Sequence, residues 1–411
     1  MNDPQNIADL INIIEKALVI LPAATRNTLK AELEIIKEMI MKSRPPKIMI
    51  LGRRGAGKSS LVNAIFAEPI AEVGSVTSQT GQAQWYAYQS HRGTLKILDT
   101  RGLGDHTRPE SANFQEAIDE IKAVLRTDYP DVILFLCKAK EVDSRIAEDI
   151  RNIQLILEHI RLYHRYQVPV LALVTQVDEL DPIDVISPPY DDHEKQTHIT
   201  QALEALSRAF DRQSLPLMHV LPVSAYARFK DGKLLSQRYW NIDLLIEYLV
   251  EVLPKNAQLE LARLSRVRSV QRQTARLIIG SSATLCAGIA AIPLPIADII
   301  PLTSAQIAMV TGIAFIAGRE LNQQSALEFL AALGVNIGAG FAMREISRAI
   351  AKFILPGGGS LISSGIAFAT TWGIGEAAIS YFIDGLNLEE AREKYWNEKA
   401  KHSKEDYSKN S

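Results

Sequence analysis

The stretch GRRGAGKSS, from Gly52 to Ser60, fits the pattern G-x-x-x-x-G-K-[ST] without a mismatch. An apolar run, Ile48-Met49-Ile50-Leu51, leads in as a strand, and Leu61-Val62-Asn63-Ala64-Ile65-Phe66 leads out as a helix. That strand–loop–helix context separates a phosphate-binding loop from an ordinary Gly-rich turn. Gly52, Gly55 and Gly57 let the loop turn its backbone N–H groups inward. The segment from Gly52 through Ala56 to Ser60 then cradles phosphate at a helix N-terminus, where the backbone supplies positive potential. Lys58 reaches the β- and γ-phosphates, and the Ser59 hydroxyl is a ligand for Mg²⁺.

Such a loop belongs to an α/β domain, and the pattern from Lys47 to about 253 agrees. Candidate strands at 47–51, 82–89, 94–98, 131–137, 168–175 and 217–223 alternate with candidate helices at 58–67, 113–126, 144–163, 198–210 and 242–252. This order predicts a mostly parallel six-stranded sheet.

Four further segments sit at or between strand ends. Asp99-Thr100-Arg101-Gly102 follows the strand ending at Leu98. A carboxylate there holds Mg²⁺ through water, and a glycine N–H meets the γ-phosphate and moves when that phosphate leaves. The polar loop 72–80 offers Thr80, or alternatively Thr77, as a hydroxyl that senses Mg²⁺ and the γ-phosphate. Thr175-Gln176-Val177-Asp178 closes an apolar strand, where a carboxylate accepts the two N–H donors of a guanine edge. Ser224-Ala225 ends the next strand and offers backbone to guanine O6.

Taken in this order, the five segments resemble the five motifs of the translation-factor-related (TRAFAC) P-loop GTPases. They are most similar to the Era-like, septin-like and immunity-related branches, and the resemblance covers about 47–253. It implies a Ras-like fold, GTP and GDP as ligands, Mg²⁺ as cofactor, and slow intrinsic hydrolysis. Three departures matter. Gln176 stands where the base-recognition motif usually has lysine. Leu103 follows Gly102 where Ras-like enzymes place a water-orienting glutamine, so hydrolysis needs another device: dimerisation, a partner's group, or backbone alone. Gly55 replaces the asparagine of potassium-activated relatives. Arg53 and Arg54, inside the phosphate loop, are either solvent-facing or arginine fingers in cis or across a dimer. The polar, Pro-containing stretch from Glu179 to Lys195 looks like an insertion found after this motif in bacterial Era-like GTPases.

The flanks have another character. Ile7, Leu10, Ile11, Ile14, Leu18 and Leu21 form one helical stripe before Pro22; Leu29, Leu33, Ile36 and Ile40 form a second. After residue 256, Arg263, Arg266, Arg268, Arg272 and Arg276 precede an apolar stretch, 277–318, whose single charge before Arg319 is Asp298. Small residues, Ala287-Gly288 and Gly338-Ala339-Gly340, permit close helix approach. If the prolines around 293–301 form a turn, the arms 277–291 and 302–318 are short for spanning a bilayer. A buried core hairpin, a membrane-inserting one whose flanking arginines face anionic headgroups, and a stable span all remain open.

The segment around Pro293-Leu294-Pro295-Ile296-Ala297-Asp298 resembles the YcjF-like helical domain that follows bacterial Era-like GTPase domains. The whole order is also similar to immunity-related GTPases and, loosely, dynamins. That implies a helical domain built from both termini and a GTP-dependent homodimer or oligomer at membranes. The expected boundaries are 1–45 for the N-terminal helices, 46–254 for the GTPase domain, 255–386 for the apolar helical domain, and 387–411 for a charged tail. Within that tail, 388–399 reads as a solvated helix and the end as disordered. With 45 basic and 47 acidic residues there is no strongly basic surface, so no nucleic-acid partner is expected. Cys137 and Cys286 lie in apolar runs, and the N-terminus shows no signal-peptide pattern. Both fit a cytoplasmic, peripherally or conditionally membrane-associated protein.

Overall fold

The computed structural model describes residues 4–68, 84–99, 113–142, 146–213, 215, 217–230, 233–291, 299–320, 323–334 and 364–409. The chain divides into two compact units. One runs from Pro45 to Pro254; the other joins Met1–Arg44 to Lys255–Ser411.

In the first unit a seven-stranded sheet has the order β2-β3-β1-β4-β5-β6-β7. The strands are β1 Lys47–Gly52, β2 Gln84–Ser90, β3 Gly93–Asp99, β4 Val132–Lys138, β5 Val170–Thr175, β6 Leu217–Lys230 and β7 Lys233–Trp240. The pairs from β3 through β1, β4 and β5 to β6 are parallel, and both edge pairs are antiparallel. β4 and β5 are continuous apolar runs, as strands covered on both faces must be. Helices at Lys58–Phe66, Asn113–Leu125, Ile146–His164, His193–Arg212 and Ile242–Val252 belong to the same unit. Phe210 meets Phe135 of β4 edge-on at 5.7 Å.

The sheet has seven strands, not six. The parallel ladder between β5 and β6 stops at Thr175↔Val223, but β6 continues to Lys230 and pairs with β7 from Ser224↔Trp240 onward. β7 carries no apolar alternation, and Lys233–Gln237 are exposed. A strand whose stability comes from its partner's hydrogen bonds leaves little trace in hydropathy. Ser224 and Ala225 therefore sit not at a strand end but at the branch point where β6 leaves the parallel sheet.

The second unit is helical. Pro4–Val19 buries Ile7, Leu10, Ile11, Ile14 and Leu18. Ala23–Ile36 continues into a π-helical turn, Lys37–Met41. The C-terminal helices are Lys255–Ser265, Arg268–Ala290, Ile299–Ile316, Gln323–Gly334, Ser364–Ala378 and Leu388–Lys409. Glycine lets the two ends of the chain approach closely: a Cβ on Gly288 would lie 2.5 Å from Leu29 Cδ1. Every residue from 301 to 316 is buried, so this arm of the apolar hairpin is a core helix, apolar all round because it is covered all round. Among the described residues one helical stretch, Ser364–Ile383, is long and apolar enough to cross a membrane, and 72% of its apolar window is buried in the protein.

Arginines that precede the hairpin are engaged within the unit. Arg272 pairs with Asp384 at 2.7 Å, Arg276 with Glu376 at 2.9 Å, and the Arg263 guanidinium lies 4.1 Å over the Phe315 ring. The charged tail is helical to Lys409, beyond the expected 399, and is not solvated all round: Ala391 and Tyr395 are buried. Both cysteines are buried free thiols, and burial pushes Cys286 up to about 12.

Candidate functional site

β1 lies between β3 and β4, so its carboxyl end opens at the point where the sheet's winding changes direction, which is where α/β sheets bind ligands. The loop Arg53–Gly57 leaves β1 there and enters the Lys58–Phe66 helix. Two glycines are required. A Cβ on Gly52 would stand 2.6 Å from the Leu136 carbonyl oxygen, which is backbone and cannot yield. Gly57, at φ 89°, precedes the first helical residue in a left-handed conformation.

Lys58 Nζ donates to the carbonyls of Gly52 at 2.5 Å and Arg53 at 3.2 Å, which keeps the ammonium over the loop. Ser59 and Ser60 are half-buried in the first helical turn. Arg53 is turned aside: its Nε donates to Asp149 Oδ2 at 3.0 Å, on the Ile146–His164 helix. Arg54 is exposed.

The segment after β5 is tied to this loop. The buried Thr175 hydroxyl donates to the Ala56 carbonyl at 3.0 Å and lies 3.3 Å from that of Cys137. Gln176, at φ 59°, donates from Nε2 to the Gly55 carbonyl at 2.6 Å. The glutamine thus bridges the two segments from the position where the motif usually has lysine. A peptide's C=O and N–H point in opposite directions. Holding the Ala56 carbonyl on the Thr175 side therefore aims the Gly57 N–H away from it.

Asp178 is almost fully buried. Its Oδ1 accepts from Ser224 Oγ at 3.1 Å, and its Oδ2 lies 3.7 Å from Arg238 Nη1 on β7. Ser224 therefore meets Asp178 through its side chain, a contact absent from the sequence reading, while Ala225 follows it in the hairpin ladder opposite Tyr239. The backbone of Asp178 is pinned too. Buried Lys195 donates from Nζ to the carbonyls of Asp178 at 2.9 Å, Leu180 at 2.6 Å and Pro182 at 3.4 Å. Burial lowers the pKa of this ammonium, against the raising pull of Asp178 and Asp181. The stretch read as a polar insertion thus folds back on the motif. Tyr190, also fully buried, meets Trp240 edge-on at 5.0 Å.

Lys195 and Arg238 were not found from sequence. The one available signal for Lys195 was a lysine closing an acid-rich stretch; Arg238 had none before the seventh strand was known. Asp99 ends β3 beside Ile50 of β1. Thr77, Thr80, Gly102 and Leu103 lie outside the described residues. Among the described residues no group of three His, Cys, Asp or Glu could hold a metal ion.

Residues 47–176 match the family described as 50S ribosome-binding GTPase. Residues 255–402 match a domain of unknown function, DUF697. This chain carries a P-loop GTPase domain joined to a C-terminal DUF697 domain. Among similar proteins, YfjP of Escherichia coli K12 is 25% identical over 52% of this chain and 63% of its own length. GTPase Der of Rippkaea orientalis is 29% identical over 40% of this chain and 33% of its own. This chain thus spans less than two thirds of either relative. The solved structure of Toc33 from Arabidopsis thaliana, in complex with Mg²⁺ and GMPPNP, overlaps 57% of this chain and 95% of its own at 19% identity, with a TM-score of 0.34. The sheet order itself, rather than that overlap, places the GTPase domain among Ras-like folds.

Proposed function

We propose that this protein binds guanine nucleotide with Mg²⁺, hydrolyses GTP to GDP and phosphate, and couples nucleotide state to self-association and membrane association through its helical domain. The observation that carries the nucleotide reading is the lacing of the base-recognition segment to the phosphate loop by Thr175 and Gln176. One nucleotide bridges both segments, and both are already in register with each other.

In this reading the N–H groups of the loop and Lys58 bind the phosphates. The Ser59 hydroxyl and the Asp99 carboxylate are oxygen donors of the kind Mg²⁺ prefers, Asp99 acting through water, and Thr80 joins them. The ion neutralises charge on the β- and γ-phosphates when bound. Asp178 selects the base, steadied by Ser224. Gly102 and Thr80 report the γ-phosphate. With Leu103 after Gly102 and Arg53 paired to Asp149, the hydrolytic device comes from a second copy or from backbone.

Coupling is supported by the composition of the helical unit, which takes helices from both sides of the GTPase domain. Membrane association draws on the apolar Ser364–Ile383 stretch and on the resemblance to membrane-acting GTPases. A soluble cytoplasmic switch is the second reading, favoured by the burial of residues 301–316. GTP turnover measured against protein concentration, with and without anionic liposomes, separates the two. Turnover per molecule that rises with concentration and again with lipid supports the first. Turnover flat in both leaves the switch, and no turnover at any concentration refutes both.

A further inference from the structure

Asp178 is held at one oxygen by Ser224 and faced at the other by Arg238. Both partners come from the β6–β7 extension, beyond the point where the parallel sheet ends. The pairs Ser224↔Trp240 and Tyr226↔Arg238 are two residues apart, so they share one face of the hairpin. On that face the Arg238 guanidinium lies 4.7 Å over the ring of its cross-strand partner, Tyr226. An arginine stacked on a ring keeps its charge in one place at small entropic cost.

A carboxylate offers about four acceptor positions. Ser224 takes one on Oδ1. Arg238, at ion-pair rather than hydrogen-bond distance, biases Oδ2 without taking up either of its acceptor positions. At least one acceptor on each oxygen then remains for a ligand with two adjacent N–H donors. Torsion about Cβ–Cγ is soft for an aspartate. A carboxylate fixed at Oδ1 alone can still swing Oδ2 out of the plane such a ligand requires, and the second contact prevents that swing. The motif's usual lysine is absent, and Gln176 spends its amide on the Gly55 carbonyl. Lys195 holds the backbone of Asp178, and the cation that faces its carboxylate at Oδ2 comes from β7.

We propose that Arg238 is a positioning residue for base selection: it sets the plane of the Asp178 carboxylate so that both oxygens receive the paired N1–H and 2-amino donors of guanine. This rests on the reading of Asp178 as the guanine-selecting group. It gives the seventh strand a function and explains how the site works without a lysine at 176.

Inosine diphosphate lacks the 2-amino group and needs only one well-placed oxygen, so it is the probe. Affinities of the full-length chain for GDP and inosine diphosphate are measured for the wild type, Arg238→Ala, Arg238→Gln and Arg238→Lys, with folding checked by circular dichroism. Arg238→Ala is expected to weaken GDP about tenfold, the scale of one hydrogen bond to a charged group, and inosine diphosphate by less than about twofold. The preference for GDP then collapses, and Arg238→Lys restores part of it. Arg238→Gln, close in shape but uncharged, behaves like Arg238→Ala and serves if the alanine variant does not fold. A GDP-to-inosine-diphosphate ratio unchanged from wild type overturns the proposal, whether both affinities fall together or neither does, since a purely structural role moves both alike. A wild-type protein with no preference for GDP over inosine or adenosine diphosphate sinks the Asp178 reading itself, and the proposal with it.

Discussion

Replacing Thr175 by valine removes one hydroxyl and almost nothing else. The side chain keeps its volume and its β-branch, and β5 keeps its ladder to β4 and β6. The hydroxyl's single hydrogen serves the Ala56 carbonyl at 3.0 Å, with the Cys137 carbonyl at 3.3 Å as a second neighbour. Ala56 is 1% exposed, so water cannot replace the lost donor. An acceptor stranded in this way costs about 1–3 kcal/mol of stability. The effect on binding follows from the peptide plane between Ala56 and Gly57. Freed at its carbonyl, the plane rotates, and nucleotide must fix it again at a cost of about 1–2 kcal/mol of backbone entropy. At 1.4 kcal/mol per decade, GDP affinity falls roughly 5- to 30-fold. Urea denaturation without nucleotide reads the first quantity, and calorimetric titration with GDP reads the second. Thr175→Ser, which keeps the hydroxyl and loses only a methyl, returns affinity to within about twofold of wild type. The reasoning fails if Thr175→Val binds GDP like wild type, or if Thr175→Ser loses as much as Thr175→Val.

Two further predictions concern the helical unit. Gly288→Val places a side chain where Leu29 Cδ1 would stand 2.5 Å from the new Cβ; overpacking of this kind costs about 1–3 kcal/mol, so the urea midpoint falls while GDP affinity of the GTPase unit stays. An unchanged midpoint would show that the Leu29 helix does not pack there. Cys286 ionises near 12 in the native protein because it is buried, against a reference near 9. Below pH 9 neither state loses that proton and the contribution to stability is complete; from pH 9 toward 12 the unfolded chain ionises first and the contribution is lost. Wild type should therefore lose more stability than Cys286→Ala between pH 8 and 11 in denaturation at fixed temperature, and equal losses would refute the assignment.

What the sequence made legible was whatever rests on local chemistry. Gly52 to Ser60 announces its function because glycine, lysine and hydroxyl at fixed spacing have few other uses together. β1, β4 and β5 announce themselves because a strand buried on both faces must be apolar throughout. Pro4–Val19 was visible because one buried face imposes a period of 3.6 residues. What stayed hidden depends on partners distant in sequence. Lys195 reads as one more charge in a polar loop until three carbonyls converge on it. β7 has no apolar signature, since its place is set by hydrogen bonds to β6. The mistaken end of β6 shares that cause: a strand that leaves the parallel sheet passes from two covered faces to an exposed ribbon, and its apolar run stops at the branch although the strand does not. The same branch gives Gln176 its meaning. At residue 176 alone, glutamine for lysine is a loss of charge. Beside Arg238 it fits the division of labour proposed above, in which the amide holds the Gly55 carbonyl at 2.6 Å and the guanidinium faces the Asp178 carboxylate at 3.7 Å. Returning a lysine at 176 should therefore gain little while Arg238 is present and more once Arg238 is removed. That coupling distinguishes a shared role from two unrelated substitutions.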